Sequence, residues 1–234
     1  MRYLSSLLLC LAIGVGVFGC SNGSSKKTAG ANPFAGRFVG TFTTNTGDSG
    51  TAYLNITSAG KLSGTVVDAT AMGSTTVSGT ITSAGAVSVT DRAGTASGTL
   101  AISAAHVITG TVTGSGRSSR TLNLASVAGG SVPNFTGSIV GTFTGTKAGA
   151  ANDGTLVLIV DGNGNVTGLV TNASNNNTTN TLTGTITNAG VLSVTSNNNG
   201  GTAAGTLTLG ASNQITGVLN VGGGDTVTVS LTLS

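Results

Sequence analysis

The chain has no glutamate and no tryptophan, and its 234 residues include one histidine, two cysteines and two prolines. Each shortage excludes something. A paired-carboxylate active site would have to draw on two of the six aspartates (Asp48, Asp68, Asp91, Asp153, Asp161, Asp225), which are scattered along the chain. His106, Cys10 and Cys20 together fall short of the four ligands of a structural zinc site. Nine Lys and Arg against six Asp give a net charge of +3, and no basic stripe is interleaved with aromatics, so nucleic-acid binding has no support. No cofactor and no metal ligand set is expected. What is plentiful is Gly, 39 residues without a Gly-X-Y period, together with Thr, Val, Ile and Leu. Disordered chains carry many charges and few β-branched residues. This composition is the reverse and reads as a folded, all-β protein.

The N-terminus is a separate element. Arg2 precedes an apolar run from Tyr3 to Gly16, which leads into Val17-Phe18-Gly19-Cys20-Ser21. One positive charge, a short apolar core and small residues before a cut site form the layout of a secretory signal peptide. The run is at the short end for a membrane span, and a polar stretch follows it directly. Its ending resembles the lipobox of bacterial lipoproteins, with Val17 at the aliphatic position and Gly19 at the small position before Cys20. Phe18 stands where that family has a small or hydroxyl residue.

The resemblance implies cleavage between Gly19 and Cys20, diacylglycerol on the Cys20 sulfur and acylation of the new terminus, with palmitate among the chains. More than one chain is needed because a single one binds a membrane only marginally. The other reading of Cys20 is a free thiol left by ordinary cleavage. Cys10 falls within the leader, so no disulfide can staple one mature chain. In lipoproteins an Asp after the Cys retains the protein at the inner membrane, so Ser21 implies the outer membrane of the cell envelope. The Gly/Ser/Lys/Ala segment from Asn22 to Asn32 is a flexible tether by composition.

The remainder is duplicated. Phe34-Ala35-Gly36-Arg37-Phe38-Val39-Gly40-Thr41-Phe42-Thr43 matches Phe135-Thr136-Gly137-Ser138-Ile139-Val140-Gly141-Thr142-Phe143-Thr144. Gly79-Thr80-Ile81-Thr82-Ser83-Ala84-Gly85 matches Gly184-Thr185-Ile186-Thr187-Asn188-Ala189-Gly190, and Gly98-Thr99-Leu100 matches Gly205-Thr206-Leu207. The offset drifts from 101 to 107, as loop insertions would make it. Pro33 and Pro133 stand at the two seams. The division is therefore 1–19 leader, 20–33 lipidated tether, 34–127 first β-domain, 128–134 linker and 135–234 second β-domain.

Within each copy apolar residues alternate with Thr and Ser, the period of a strand buried on one side. Phe38, Gly40 and Phe42 share one face, with Val39 and Thr41 on the other. Turn residues punctuate the pattern at Ser58-Ala59-Gly60, Ser83-Ala84-Gly85, Gly162-Asn163-Gly164 and Asn188-Ala189-Gly190. Strands are expected in copy one near 36–43, 50–57, 61–68, 74–82, 86–91, 95–103, 107–113 and 119–125. The expected fold is all-β: two tandem antiparallel meander units of about eight short strands, each able to close as a small up-and-down barrel. One larger sheet system would satisfy the same pattern. The strand rhythm resembles the avidin-type up-and-down barrel, but with no Trp the stacking groups of a biotin site are missing and no ligand residue is carried over. A membrane-spanning barrel needs longer strands and aromatic girdles, and the few aromatics here cluster at copy starts. Mid-strand glycines (Gly40, Gly64, Gly79, Gly98, Gly110) fit places where the barrel bends or a second backbone approaches.

Chemistry-bearing residues are sparse. His106 aligns with Asn213, which favours a turn over catalysis. Asp91 beside Arg92 reads as a turn pair. Asp161-Gly162-Asn163-Gly164-Asn165 resembles the start of a calcium loop, yet position six is Val166, no Glu follows, and the composition suits a hairpin turn. Gly114-Ser115-Gly116-Arg117 lacks the helix of a phosphate loop. The expected function is non-enzymatic: a lipid-anchored envelope protein whose β-domains form a structural, adhesive or binding module, with the membrane and an envelope component as partners. The alternative is a carrier holding a small apolar ligand inside each barrel, and a third reading is an enzyme of unknown type.

Overall fold

The computed structural model describes residues 30–128, 134–198 and 200–234. Cys20, the leader, most of the tether and the core of the linker lie outside the described residues. The first copy is a closed antiparallel barrel of eight strands: β1 (Gly36–Thr44), β2 (Ser49–Ile56), β3 (Lys61–Asp68), β4 (Gly73–Ile81), β5 (Ala86–Asp91), β6 (Gly94–Ile102), β7 (Val107–Gly114) and β8 (Arg120–Ser126). Each strand pairs with the next, and β8 returns to β1 with Leu122 opposite Phe42. The second copy comprises β9 (Gly137–Lys147), the short β10 (Ala150–Ala151), β11 (Gly154–Val160), β12 (Asn165–Asn172), β13 (Thr178–Ile186), β14 (Val191–Ser196), β15 (Thr202–Leu209), β16 (Gln214–Val221) and β17 (Asp225–Leu233). It closes by pairing β17 with β9, placing Val229 opposite Phe143, while β10 only extends the end of β9. Closure leaves neither barrel with an open edge.

Alternation decides the two faces. In β17 Val227, Val229, Leu231 and Leu233 point inward and are buried, while Thr226, Thr228, Ser230 and Thr232 are exposed. Hydroxyls wet the outside of the barrels in place of charges. Exterior pairs such as Thr111 with Thr121 and Thr171 with Thr179 lie within hydrogen-bond distance across adjacent strands. The inward set forms one aliphatic and phenylalanine core per barrel. Mid-strand glycines sit where a second backbone crosses closely: a Cβ at Gly98 would stand 2.0 Å from the Thr111 carbonyl oxygen.

One end of each barrel, the base, is plugged by the phenylalanine that opens the copy. Phe34 is 3% exposed, and the segment before it is clamped by Asn32, whose Nδ2 donates to the Ile81 carbonyl at 2.8 Å and whose Oδ1 accepts from the Phe34 N–H at 2.9 Å. Phe135 plugs the second barrel in the same way. Gly190, at φ +81°, turns the chain over it, and a Cβ there would stand 3.0 Å from the Phe135 ring.

The two barrels also touch, through residues of their outward faces. Val39, Tyr53, Val67 and Val127 of the first pack with Ile159 and Leu169 of the second, all buried. Ser138 Oγ donates to Thr65 Oγ1 and Thr167 Oγ1 to Thr51 Oγ1, each at 2.9 Å. Burying side chains of this size is worth roughly 1.5–3 kcal/mol each, so the contact is a substantial hydrophobic seam. The Tyr53 hydroxyl is buried in it without a hydrogen-bond partner of good geometry. Burial raises its pKa above the usual 10.0, against the opposing pull of the nearby Arg37 guanidinium.

Candidate functional site

The hairpins at the base have equal lengths in the two copies; the hairpins at the opposite end, the mouth, do not. The offset between equivalent residues is 101 at Phe42 and Phe143, 104 at Gly50 and Gly154, 105 at Gly79 and Gly184, and 107 at Gly98 and Gly205. All six extra residues of the second copy therefore fall in its β9–β11, β12–β13 and β14–β15 connections, around the mouth. Loops that vary over a constant scaffold are where function concentrates.

The interiors differ at the same end. The first barrel keeps a cavity of only about 50 Å³. Its mouth is closed by charge. Asp91, the last residue of β5, receives a two-pronged hydrogen bond from Arg117, with Nη1 3.0 Å from Oδ2 and Nη2 2.9 Å from Oδ1. The hydrogen bond from Arg117 holds the Asp91 carboxyl below its usual 3.8, with further help from the Ala93 N–H and Arg120. Arg120 itself reaches inward, its guanidinium carbon 5.5 Å from the centre of the Phe42 ring, a cation–π arrangement. The ion partner of Asp91 is thus Arg117, not the adjacent Arg92 that the sequence suggested. The turn reading holds, since Asp91 Oδ1 also accepts from the Ala93 N–H at 2.8 Å.

The second barrel has neither plug. By register, Ser196 takes the place of Asp91 and Val227 that of Arg120. The space released is a cavity of about 310 Å³, open at the mouth. Its body is lined by Phe143, Leu156, Leu158, Leu182, Leu192, Val194, Leu219 and Val229. Its rim carries Lys147, Asn152, Asn172, Asn180, Ser196 and Thr202. Ser196 is 6% exposed, and its Oγ is buried with no hydrogen-bond partner among the described residues. Asn172 Nδ2 donates to Asn152 Oδ1, and Asn172 Oδ1 accepts from the Asn175 N–H at 3.0 Å. The carboxylates near the mouth are turned to loop backbone: Asp153 Oδ1 accepts from the Gly145 N–H at 3.1 Å and Asp225 Oδ2 from the Ala148 N–H at 2.8 Å. An apolar cleft of this size with a few convergent polar groups has the form of a small-molecule site. The expectation of a ligand space in each barrel is corrected: the first is nearly filled.

The residues singled out in sequence fall elsewhere. His106 is exposed on the β6–β7 turn at φ +54°, and its counterpart Asn213 has φ +59°. Asp161 closes the β11–β12 hairpin: Oδ1 accepts from the Asn163 and Asn165 N–H groups at 2.8 and 2.9 Å, and Oδ2 from Asn165 Nδ2 at 2.7 Å. Among the described residues no three of His, Cys, Asp and Glu come together. A ligand space was expected in both barrels alike; which one stays open shows only in the comparison of the copies: Asp91 against Ser196, Arg120 against Val227, and insertions confined to alternate hairpins. No family model matches the chain, and neither a curated protein nor a solved structure matches it.

Proposed function

We propose that this protein is a non-enzymatic binding module of the bacterial envelope, anchored to the outer membrane by acyl chains on Cys20, in which the second barrel takes up a small, largely apolar molecule and the first serves as a rigid base. The observation that carries the reading is the contrast between two copies of one fold, about 310 Å³ of apolar space in one and about 50 Å³ in the other. Duplication followed by opening of one copy is an economical route to a receptor with a built-in support. The seam between the barrels fits the supporting role, because it buries outward residues of β1–β3 against β11 and β12, and Met72 of the first barrel reaches Asn198 in a mouth loop of the second. The side-chain supply favours binding over turnover: the rim offers amides, hydroxyls and one amine, and His106 lies on a turn of the other barrel.

Two measurements test this. Mass spectrometry of the mature N-terminus should find Cys20 acylated, and an unmodified Cys20 contradicts the anchor. Native mass spectrometry of protein drawn from its own envelope should find one small molecule per chain, released on unfolding; an empty protein that also takes up no apolar probe contradicts the binding role.

A further inference from the structure

The cavity's size and rim say more about what it holds. An apolar cavity of about 150 Å³ accepts a benzene-sized guest, so the 310 Å³ here suits a body of roughly a dozen non-hydrogen atoms. Around the mouth the one charge is a cation, and it stands beside N–H and O–H donors that an anion can use. Ser196 has a buried hydroxyl with no partner among the described residues. Asn152 has its Oδ1 engaged by Asn172, which leaves its amide N–H groups, and the Asn172 oxygen is already taken by Asn175. Lys147 is the only charged side chain lining the cavity, and it makes no ion pair among the described residues. Asn180 is an amide that can serve either kind of head group. Asp153 and Asp225 are bound to loop backbone and do not line the space.

We propose that the second barrel selects a monocarboxylate amphiphile, a fatty or aryl acid of about ten to twelve carbons, with its apolar body among Leu156, Leu182, Leu192 and Leu219 and its carboxylate at the mouth accepting from Ser196, Asn152 and Lys147. This rests on the reading of the cavity as a binding site. A cationic head would meet the Lys147 ammonium, the one charge on the lining, at close range. A neutral alcohol would make only neutral hydrogen bonds at the rim, weaker than the charge-assisted ones a carboxylate makes with the same groups. The first barrel cannot serve, because Arg120 stands in the volume that the body would need.

The test is calorimetric titration of the full chain in detergent-free buffer with decanoate, decan-1-ol and decyltrimethylammonium. Decanoate should bind at one site per chain, roughly tenfold tighter than decanol, as hydrogen bonds to a charged group allow, and the cation should not bind. Lys147→Gln and Ser196→Ala should each weaken decanoate more than decanol and so bring the decanoate-to-decanol ratio towards one. Lys147 is exposed, so its variant tests the head group without risk to the fold. Val194→Phe, filling the cavity, should abolish binding of both. Decanol binding as tightly as decanoate, a ratio unmoved by both rim variants, or preferred binding of the cation overturns the carboxylate assignment and leaves the binding site standing. Failure of all three probes to bind overturns the binding site itself.

Discussion

The guanidinium of Arg120 lies over the face of Phe42, 5.5 Å from ring centre to guanidinium carbon, inside the mouth of the first barrel. The matching pair in the second barrel is Val227 and Phe143, which line open space. Much of the difference between a filled and a hollow barrel is thus one side chain long, and it is reversible. The double variant Arg120→Val, Asp91→Ser should open the first barrel and raise the number of decanol sites per chain from one to two. The cation–π contact is worth about 0.5–2 kcal/mol, a loss the barrel should survive. A folded variant that still binds one decanol shows that something other than arginine fills the first barrel.

The Asp91–Arg117 pair gives a pH signature. The folded-state pKa of Asp91 is lowered from its usual 3.8, chiefly by the Arg117 hydrogen bond. Its contribution to stability is therefore complete above that usual value and is lost as pH falls through the lowered one. The pair is partly exposed, 22% for Arg117 and 10% for Asp91, so the expected size is about 0.5–1 kcal/mol. Urea unfolding should find Asp91→Asn less stable than the parent by that amount near neutrality and equal to it once the carboxyl is protonated in strong acid. A gap that persists in strong acid shows that the ion pair is not its source.

The base plugs are expected to be the most sensitive single positions outside the strands. Phe34→Ala or Phe135→Ala removes a buried ring from the base of its barrel, a loss of roughly 3–5 kcal/mol. Denaturant titration measures it. An effect below about 1 kcal/mol would show that the base closes without the ring.

Tyr53 and Tyr3 are the two tyrosines, Tyr53 alone lies among the described residues, and there is no tryptophan. Its fluorescence therefore reports on the seam between the barrels. Its pKa is raised by burial, so the stability it supports is complete below 10.0 and declines as pH rises beyond that value. Because its buried hydroxyl has no partner of good geometry, with only the Arg37 guanidinium nearby, Tyr53→Phe should leave stability unchanged or raise it by up to about 1–2 kcal/mol, and should remove the alkaline decline. A clear loss of stability in Tyr53→Phe would reveal a hydrogen bond at that hydroxyl.

The strands were legible because three signals agree: period-two alternation, turn residues at its breaks, and a second copy that repeats both. Expected strands such as 61–68 and 86–91 coincide with β3 and β5, and the others fall within a residue of the observed ends. The seam was not legible. Val39, Tyr53 and Val67 are outward-phase residues, and an apolar outward residue looks the same in sequence whether it meets water or another barrel. The base plugs were visible as repeated Phe34 and Phe135, but their role depends on the chain folding back under the barrel. The cavity depends on summed side-chain volume around a closed ring, which periodicity does not encode; only the comparison of Asp91 with Ser196 and Arg120 with Val227 carries it.

The most direct test of the account is xenon binding, since xenon enters apolar cavities without needing a head group. Methyl NMR under xenon pressure should shift Leu156, Leu182, Leu192 and Leu219 in the second barrel much more than Leu54, Leu62 and Leu122, which line the small residual space of the first. Equal shifts in both barrels, or none in the second, would contradict a hollow receptor barrel standing on a filled one.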